Sequence, residues 1–78
     1  MKNIKINRKK GIVEIIINPE FYPKETIVHS FKEIKECFYS LKENDKNFFV
    51  ELKPKRDVDL EEVAYDFMDM LLSKIKGS

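Results

Sequence analysis

The sequence predicts a two-layer α+β domain: a small, mainly antiparallel sheet with two helices on one face, in the order ββαββα. Three observations carry this expectation. Ile12-Val13-Glu14-Ile15-Ile16-Ile17 is a β-branched run, and such side chains pack on a pleated surface but lose rotamer freedom in a helix. Phe48, Val50 and Leu52 alternate with Phe49, Glu51 and Lys53 at the period of a strand. Leu60, Val63, Phe67, Met70, Leu71 and Ile75 recur as one broad helical stripe.

The elements follow in chain order. Ile4 and Ile6 sit between Asn3, Lys5 and Asn7, a half-buried strand over 3–8. Lys9-Lys10-Gly11 is a turn, with Gly supplying the positive φ that tight turns require, so 3–8 and 11–18 form a hairpin. Asn18-Pro19 ends the second strand, because proline has no N–H to donate. Pro23 stands at or near the start of a helix over 24–35, with Ile27, Phe31, Ile34 and Phe38 at helical spacing. Residues 37–42 admit two readings. Alternation of Cys37, Tyr39 and Leu41 with Phe38, Ser40 and Lys42 favours a strand joined by a loop at 43–47 to the next strand, 48–53. The alternative is a longer first helix and the order ββαβα. After Lys53-Pro54-Lys55-Arg56, Asp59 with Glu62 forms a variant capping box, and acids early and lysines late suit the helix dipole. Gly77 is the expected stop.

Seventy-eight residues make one domain, 1–78, near the lower limit for a core without staples. With 42% apolar and 37% charged residues, the composition is that of a folded chain. The net charge of +1 argues against a globally basic nucleic-acid binder. Its distribution is uneven: residues 1–10 carry +5 and residues 57–73 carry −6. The single cysteine, Cys37, excludes a disulfide-built scaffold. No apolar run approaches the ~20 residues of a membrane span, and the N-terminus has no apolar signal core, so the expected compartment is the cytoplasm.

One ordered set of segments resembles a known family. An Ile-rich strand ending in Asn18-Pro19-Glu20 precedes Tyr22-Pro23 and a helix, then Cys37-Phe38-Tyr39. Phe49-Val50-Glu51-Leu52-Lys53-Pro54-Lys55, an acidic helix start and Phe67-Met68-Asp69-Met70-Leu71-Leu72 follow. Over residues 12–76 this order is similar to the small D protein of the His-Xaa-Ser peptide-maturation system. The resemblance implies a non-catalytic accessory role beside radical-SAM proteins, acting on a peptide with His-Xaa-Ser repeats. The family pattern has a longer basic C-terminal end than Lys76-Gly77-Ser78.

The residues themselves point away from enzyme chemistry. His29 is the lone histidine and reads as a surface or boundary residue of the first helix. Cys37 reads as a small buried hydrophobe, and the cysteine trio of a radical-SAM cluster is absent. No metal or other cofactor is expected. Glu61, Glu62, Asp66 and Asp69 read as the solvated side of the last helix. Phosphate binding by the basic arm and by Lys53, Lys55 and Arg56 is the alternative function; no glycine-rich loop, aromatic platform or helix-turn-helix pattern supports it. The hinge has a local reading, leading into the acids of the last helix.

The second face of the sheet is more informative. If the helices cover Val13, Ile15, Ile17, Val50 and Leu52, then Ile12, Ile16 and Phe49 point the other way, where a one-sided sheet should be polar. These three, with Lys53, Lys55 and Arg56, are the candidate partner-binding residues. The partner is expected to be another chain, received on this face or an adjoining strand edge, or a second copy of the protein.

Overall fold

The computed structural model describes residues 3–76; Lys2 of the basic arm and Gly77, the expected helix stop, lie outside them. The order is the expected one: β1 (Ile4–Asn7), β2 (Ile12–Ile17), α1 (Lys24–Glu33), β3 (Cys37–Glu43), β4 (Phe48–Pro54) and α2 (Leu60–Lys76). The four strands form one antiparallel sheet in the spatial order β1-β2-β4-β3. The inner strands are the two that bury the most side chains, and α1 carries the chain from β2 past β4 to the far edge.

The alternation in the two inner strands fixes which face is core. Val13, Ile15 and Ile17 of β2 lie opposite Leu52, Val50 and Phe48 of β4, and all six are buried. Ile27 and Phe31 of α1 and Ala64, Phe67 and Leu71 of α2 complete the core from the helix side. The α2 stripe is turned slightly from its expected centre: Ala64 and Met68 pack inward, while Ile75 is 37% exposed. α2 stands over β2 and β1. α1 stands over the β3 side, where the Phe31 ring stacks on Tyr39 with centroids 4.4 Å apart.

Local chemistry explains the boundaries. Gly11 adopts φ 65° in the β1–β2 turn, the left-handed conformation expected of it. After β2, the Asn18 carbonyl accepts from the Phe21 and Tyr22 amides, and its side chain from Glu20. Pro23 stands at the N-cap of α1 in an extended conformation, next to the first helical residue, as expected. α1 ends at Glu33 rather than at residue 35. Ile34 is extended, with its amide donating to the Phe31 carbonyl, so three residues remain to reach the start of β3. The strand reading of 37–42 holds and the long-helix alternative does not, since all seven β3 residues pair with β4.

The remaining ends follow the same rules. In the β3–β4 loop, the Asn44 side chain accepts from the amides of Lys46 and Asn47, each at 2.8 Å. β4 extends one residue beyond expectation to include Pro54. This costs no ladder bond, because the missing N–H faces the β2 side, past the end of β2. Asp59 caps α2 through the Glu61 amide at 3.0 Å. Surface ion pairs Lys24–Glu43 and Lys74–Glu33 join α1 to β3 and α2. No helix among the described residues is long and apolar enough to cross a membrane.

Because so few side chains form this core, each matters. Leu52→Ala, at a fully buried position, is expected to cost about 2–5 kcal/mol, a large fraction of a small domain's stability. Phe49→Ala, on the opposite side of the same strand, is expected to cost much less. Urea denaturation followed by circular dichroism checks the contrast.

Candidate partner-binding surface

Strand alternation sends the other half of the sheet residues to the uncovered face, in three tiers read from the registers. Ile16, Phe49 and Lys42 lie side by side across β2, β4 and β3. Lys5, Glu14, Glu51 and Ser40 form the middle tier across all four strands. Asn7 lies beside Ile12, and Lys53 beside Phe38, in the third. Because Val13 pairs with Leu52, Ile12 falls next to Lys53. Ile12, Ile16, Phe49 and Lys53 therefore share the open face, as the alternation requires. Ile16 and Ile12 are half-buried, and Phe49 is 37% exposed.

The hinge residues sit at one corner of that face. The Lys55 ammonium lies 5.1 Å from the centroid of the Phe38 ring, a cation–π contact. Arg56 pairs with Glu36 at 3.0 Å, and the Lys55 amide donates to the Glu36 carbonyl at 2.8 Å. The hinge is thus tied to the start of β3, not to the acids of α2, which corrects the local reading made from sequence proximity. The α2 acid Glu61 is instead engaged by Arg8 of the β1–β2 turn, at 2.7 Å. Glu62, Asp66 and Asp69 are exposed, as expected.

Two aromatic residues that the sequence reading left out belong to this surface. Phe38 is 62% exposed on the open face, and Tyr39 is 48% exposed on the helix side of the same strand. The alternation of residues 37–42 was the available signal; only the strand order reveals that β3 is an edge.

The hydrogen-bond parity of that edge is well defined. Lys55 donates to Glu36, and Asn44 donates to Asn47, at the two ends of the β3–β4 ladder. Bonded pairs alternate in an antiparallel ladder, so Phe38, Ser40 and Lys42 direct their backbone groups to β4. Cys37, Tyr39, Leu41 and Glu43 direct their N–H and C=O groups outward. By the same reasoning, the Asn3–Ile16 bond sets the outward residues of β1 as Ile4 and Ile6. That edge is only four residues long and is flanked by Lys5, Arg8, Lys9 and Lys10, features that blunt an edge.

His29 is exposed on α1. Cys37 is half-buried, less enclosed than expected, in a groove between the end of α1 and α2 lined by Ile34, Val63, Asp66 and Met70. Burial raises its thiol pKa, Glu36 raises it further, and Lys55 partly opposes the shift. Among the described residues, no group of three or more His, Cys, Asp or Glu side chains converges as for a metal ion.

At the hinge end of the sheet, the two basic features of the sequence meet. Arg8 and Lys10 of the first turn and Lys53 and Arg56 of the hinge line one depression with Asp57 and Asp59. The acids dilute the positive charge, and Arg8 and Arg56 already hold carboxylates. The chain matches no family model, and neither curated proteins nor solved structures provide a match.

The raised pKa gives the thiol a smaller thiolate fraction at a given pH. At pH 8, iodoacetamide is expected to label Cys37 several-fold more slowly in the folded protein than in urea. Equal rates, measured by mass spectrometry, would contradict the partial burial described for this side chain.

Proposed function

We propose that the protein is a non-catalytic binding module that receives an extended segment of another chain along the β3 edge. The observation that carries this reading is the seven-residue outer strand with outward N–H and C=O groups at Cys37, Tyr39, Leu41 and Glu43. Phe38 and Tyr39 are exposed beside them. Strand addition satisfies such groups directly, and alternate side chains of the incoming segment meet the two faces. Ser40 and Phe38 border it on the open face; Tyr39 and Leu41 border it on the helix side. Ile12, Ile16, Phe49 and Lys53 extend the contact surface for a partner larger than a single strand.

The resemblance to the D protein of the His-Xaa-Ser system supplies the candidate partners: the repeat peptide itself, or a radical-SAM protein that modifies it. The module acts in the cytoplasm in this reading, presenting or holding the peptide while chemistry occurs elsewhere.

The test uses nitrogen-15-labelled protein and a synthetic peptide carrying His-Xaa-Ser repeats. Amide shifts are expected to concentrate in residues 37–43. Tyr39→Pro removes an outward N–H without removing a bond to β4, but it also loses the stack on Phe31. Relative to Tyr39→Ala, which loses the ring alone, it should weaken binding at least about tenfold, near the value of one lost hydrogen bond, with folding checked by circular dichroism. No shifts with peptide at about 1 mM would reject the peptide as the partner.

A second reading, binding of nucleic-acid phosphates, has one observation in its favour: the convergence of Arg8, Lys10, Lys53 and Arg56. The favoured reading expects a single-stranded oligonucleotide to pass the immobilised protein unretained at ~50 mM salt. Retention that falls with added salt and with Lys10→Glu would reverse the preference.

A further inference from the structure

We propose that, without a partner, the β3 edge pairs with β3 of a second copy about a two-fold axis at Ser40, so that self-association and partner binding compete for one edge. The competition rests on the strand-addition reading above; the self-pairing does not.

Hydrogen-bond parity restricts the register. In each copy the outward groups belong to the odd-numbered residues from Cys37 to Glu43, as the bonds at Glu36 and Asn44 require. Two antiparallel copies exchange bonds only if odd residues face odd residues. A symmetry axis passing between two residues would set outward groups against inward ones, so the axis passes through a residue. Centring on Tyr39 or Leu41 overlaps five residues of the strand. Centring on Ser40 overlaps all seven, with Tyr39 of each copy exchanging bonds with Leu41 of the other and Cys37 with Glu43.

Side-chain chemistry fits the same register. On the open face, Phe38 of each copy lies opposite Lys42 of the other, and the small Ser40 meets itself at the axis. A lysine over an aromatic ring is a favourable cross-strand pair, and Lys55 already occupies such a position against Phe38 within the chain. On the helix side, Tyr39 lies opposite Leu41 and Cys37 opposite Glu43. No like charges meet directly across the strand pair. The axis stands perpendicular to the sheet, so both copies keep their helices on one side of a continuous eight-stranded sheet. The exposed Phe38 and Tyr39 become interior positions of that sheet, and an isologous contact closes the assembly at two copies.

The test is a charge swap read by sedimentation equilibrium, with circular dichroism to confirm folding. Phe38 is largely exposed, but F38K also loses the Lys55 contact and sets a lysine beside Lys53 within the chain, so urea denaturation of each variant confirms that the fold persists before dimerisation is compared. The wild type is expected to show a concentration-dependent dimer. F38K sets lysine against Lys42 of the other copy and should shift the dissociation constant upward at least about tenfold. The double variant F38K/K42E sets lysine against glutamate and should restore dimerisation. In a sample mixing isotopically labelled and unlabelled copies, Hα–Hα contacts between Phe38 and Lys42 of different copies are expected, since these face each other at a non-hydrogen-bonded pair. A wild type that stays monomeric up to about 1 mM, or an F38K variant that dimerises as the wild type does, overturns the inference. His-Xaa-Ser peptide binding measured on the wild type separates the two ideas: binding by a wild type that never dimerises refutes self-pairing alone, and a dimer that ignores the peptide refutes the partner reading alone.

Discussion

Everything in this domain depends on the pairing of β2 with β4. Val13, Ile15 and Ile17 meet Leu52, Val50 and Phe48 on one face, and that apolar surface gives both helices something to cover. The two strands are separated in sequence by α1 and β3, so the pairing is non-local and its register must be set by burial. A one-residue slip of either strand would send its three core side chains to the open face and bring inward Glu14, if β2 slips, or Glu51 and Lys53, if β4 does. The charged residues thus act against the wrong register while the apolar ones act for the right one.

The same pairing determines the edges. With β2 and β4 inside, β1 and β3 are left outside, and the two are unequal. β1 is short and basic, and α2 stands over it. β3 runs for seven residues, with one lysine among them and an aromatic pair exposed. Natural edges without a partner are blunted by charge, proline or brevity; β3 uses none of these except the charges of Lys42 and Glu43 at its end. Its helix-side residues are also held in place, because Tyr39 stacks on Phe31, which packs in turn on Phe67 at 5.9 Å. A long, rigid, unprotected edge is a preorganised one, and preorganisation lowers the entropy cost of adding a strand.

Much of this fold was legible in the sequence because the inner strands and α2 are strongly periodic. The hairpin turn at Gly11, the cap at Asp59 and the face assignment of Ile12, Ile16 and Phe49 all follow from local patterns. The strand over 37–42 was legible only as an alternative to helix, since Phe38 and Leu41 also continue the helical spacing of Ile34. What decides it is the partner strand, which no local pattern names. For the same reason Phe38 and Tyr39 escaped notice: an alternating segment reads alike at the centre and at the edge of a sheet. The link from the hinge to Glu36 was hidden too, because proximity in sequence pointed to the acids of α2, while the register of β3 against β4 brings Arg56 to the other side.

The open face carries a cost that the fold does not require. Glu14 and Glu51 stand directly opposite each other in the β2–β4 ladder. From the bond parity theirs is the closer, non-hydrogen-bonded kind of pair, where like charges oppose each other. Lys5 lies across from Glu14 on one side, but Ser40, not a base, lies across from Glu51 on the other. A face selected for stability alone would place a cation at Ser40 or Glu51. Sequence choices that weaken the isolated domain concentrate at surfaces used for something else, and here they adjoin the same edge that leaves Tyr39 and Leu41 with open backbone groups. A partner strand beside β3 would bring its own side chains next to Ser40, within reach of Glu51, so a basic residue there would relieve the opposition that the monomer leaves standing. The like-charge opposition of the face and the open backbone groups of the edge thus lie side by side, on the β4–β3 half of the sheet.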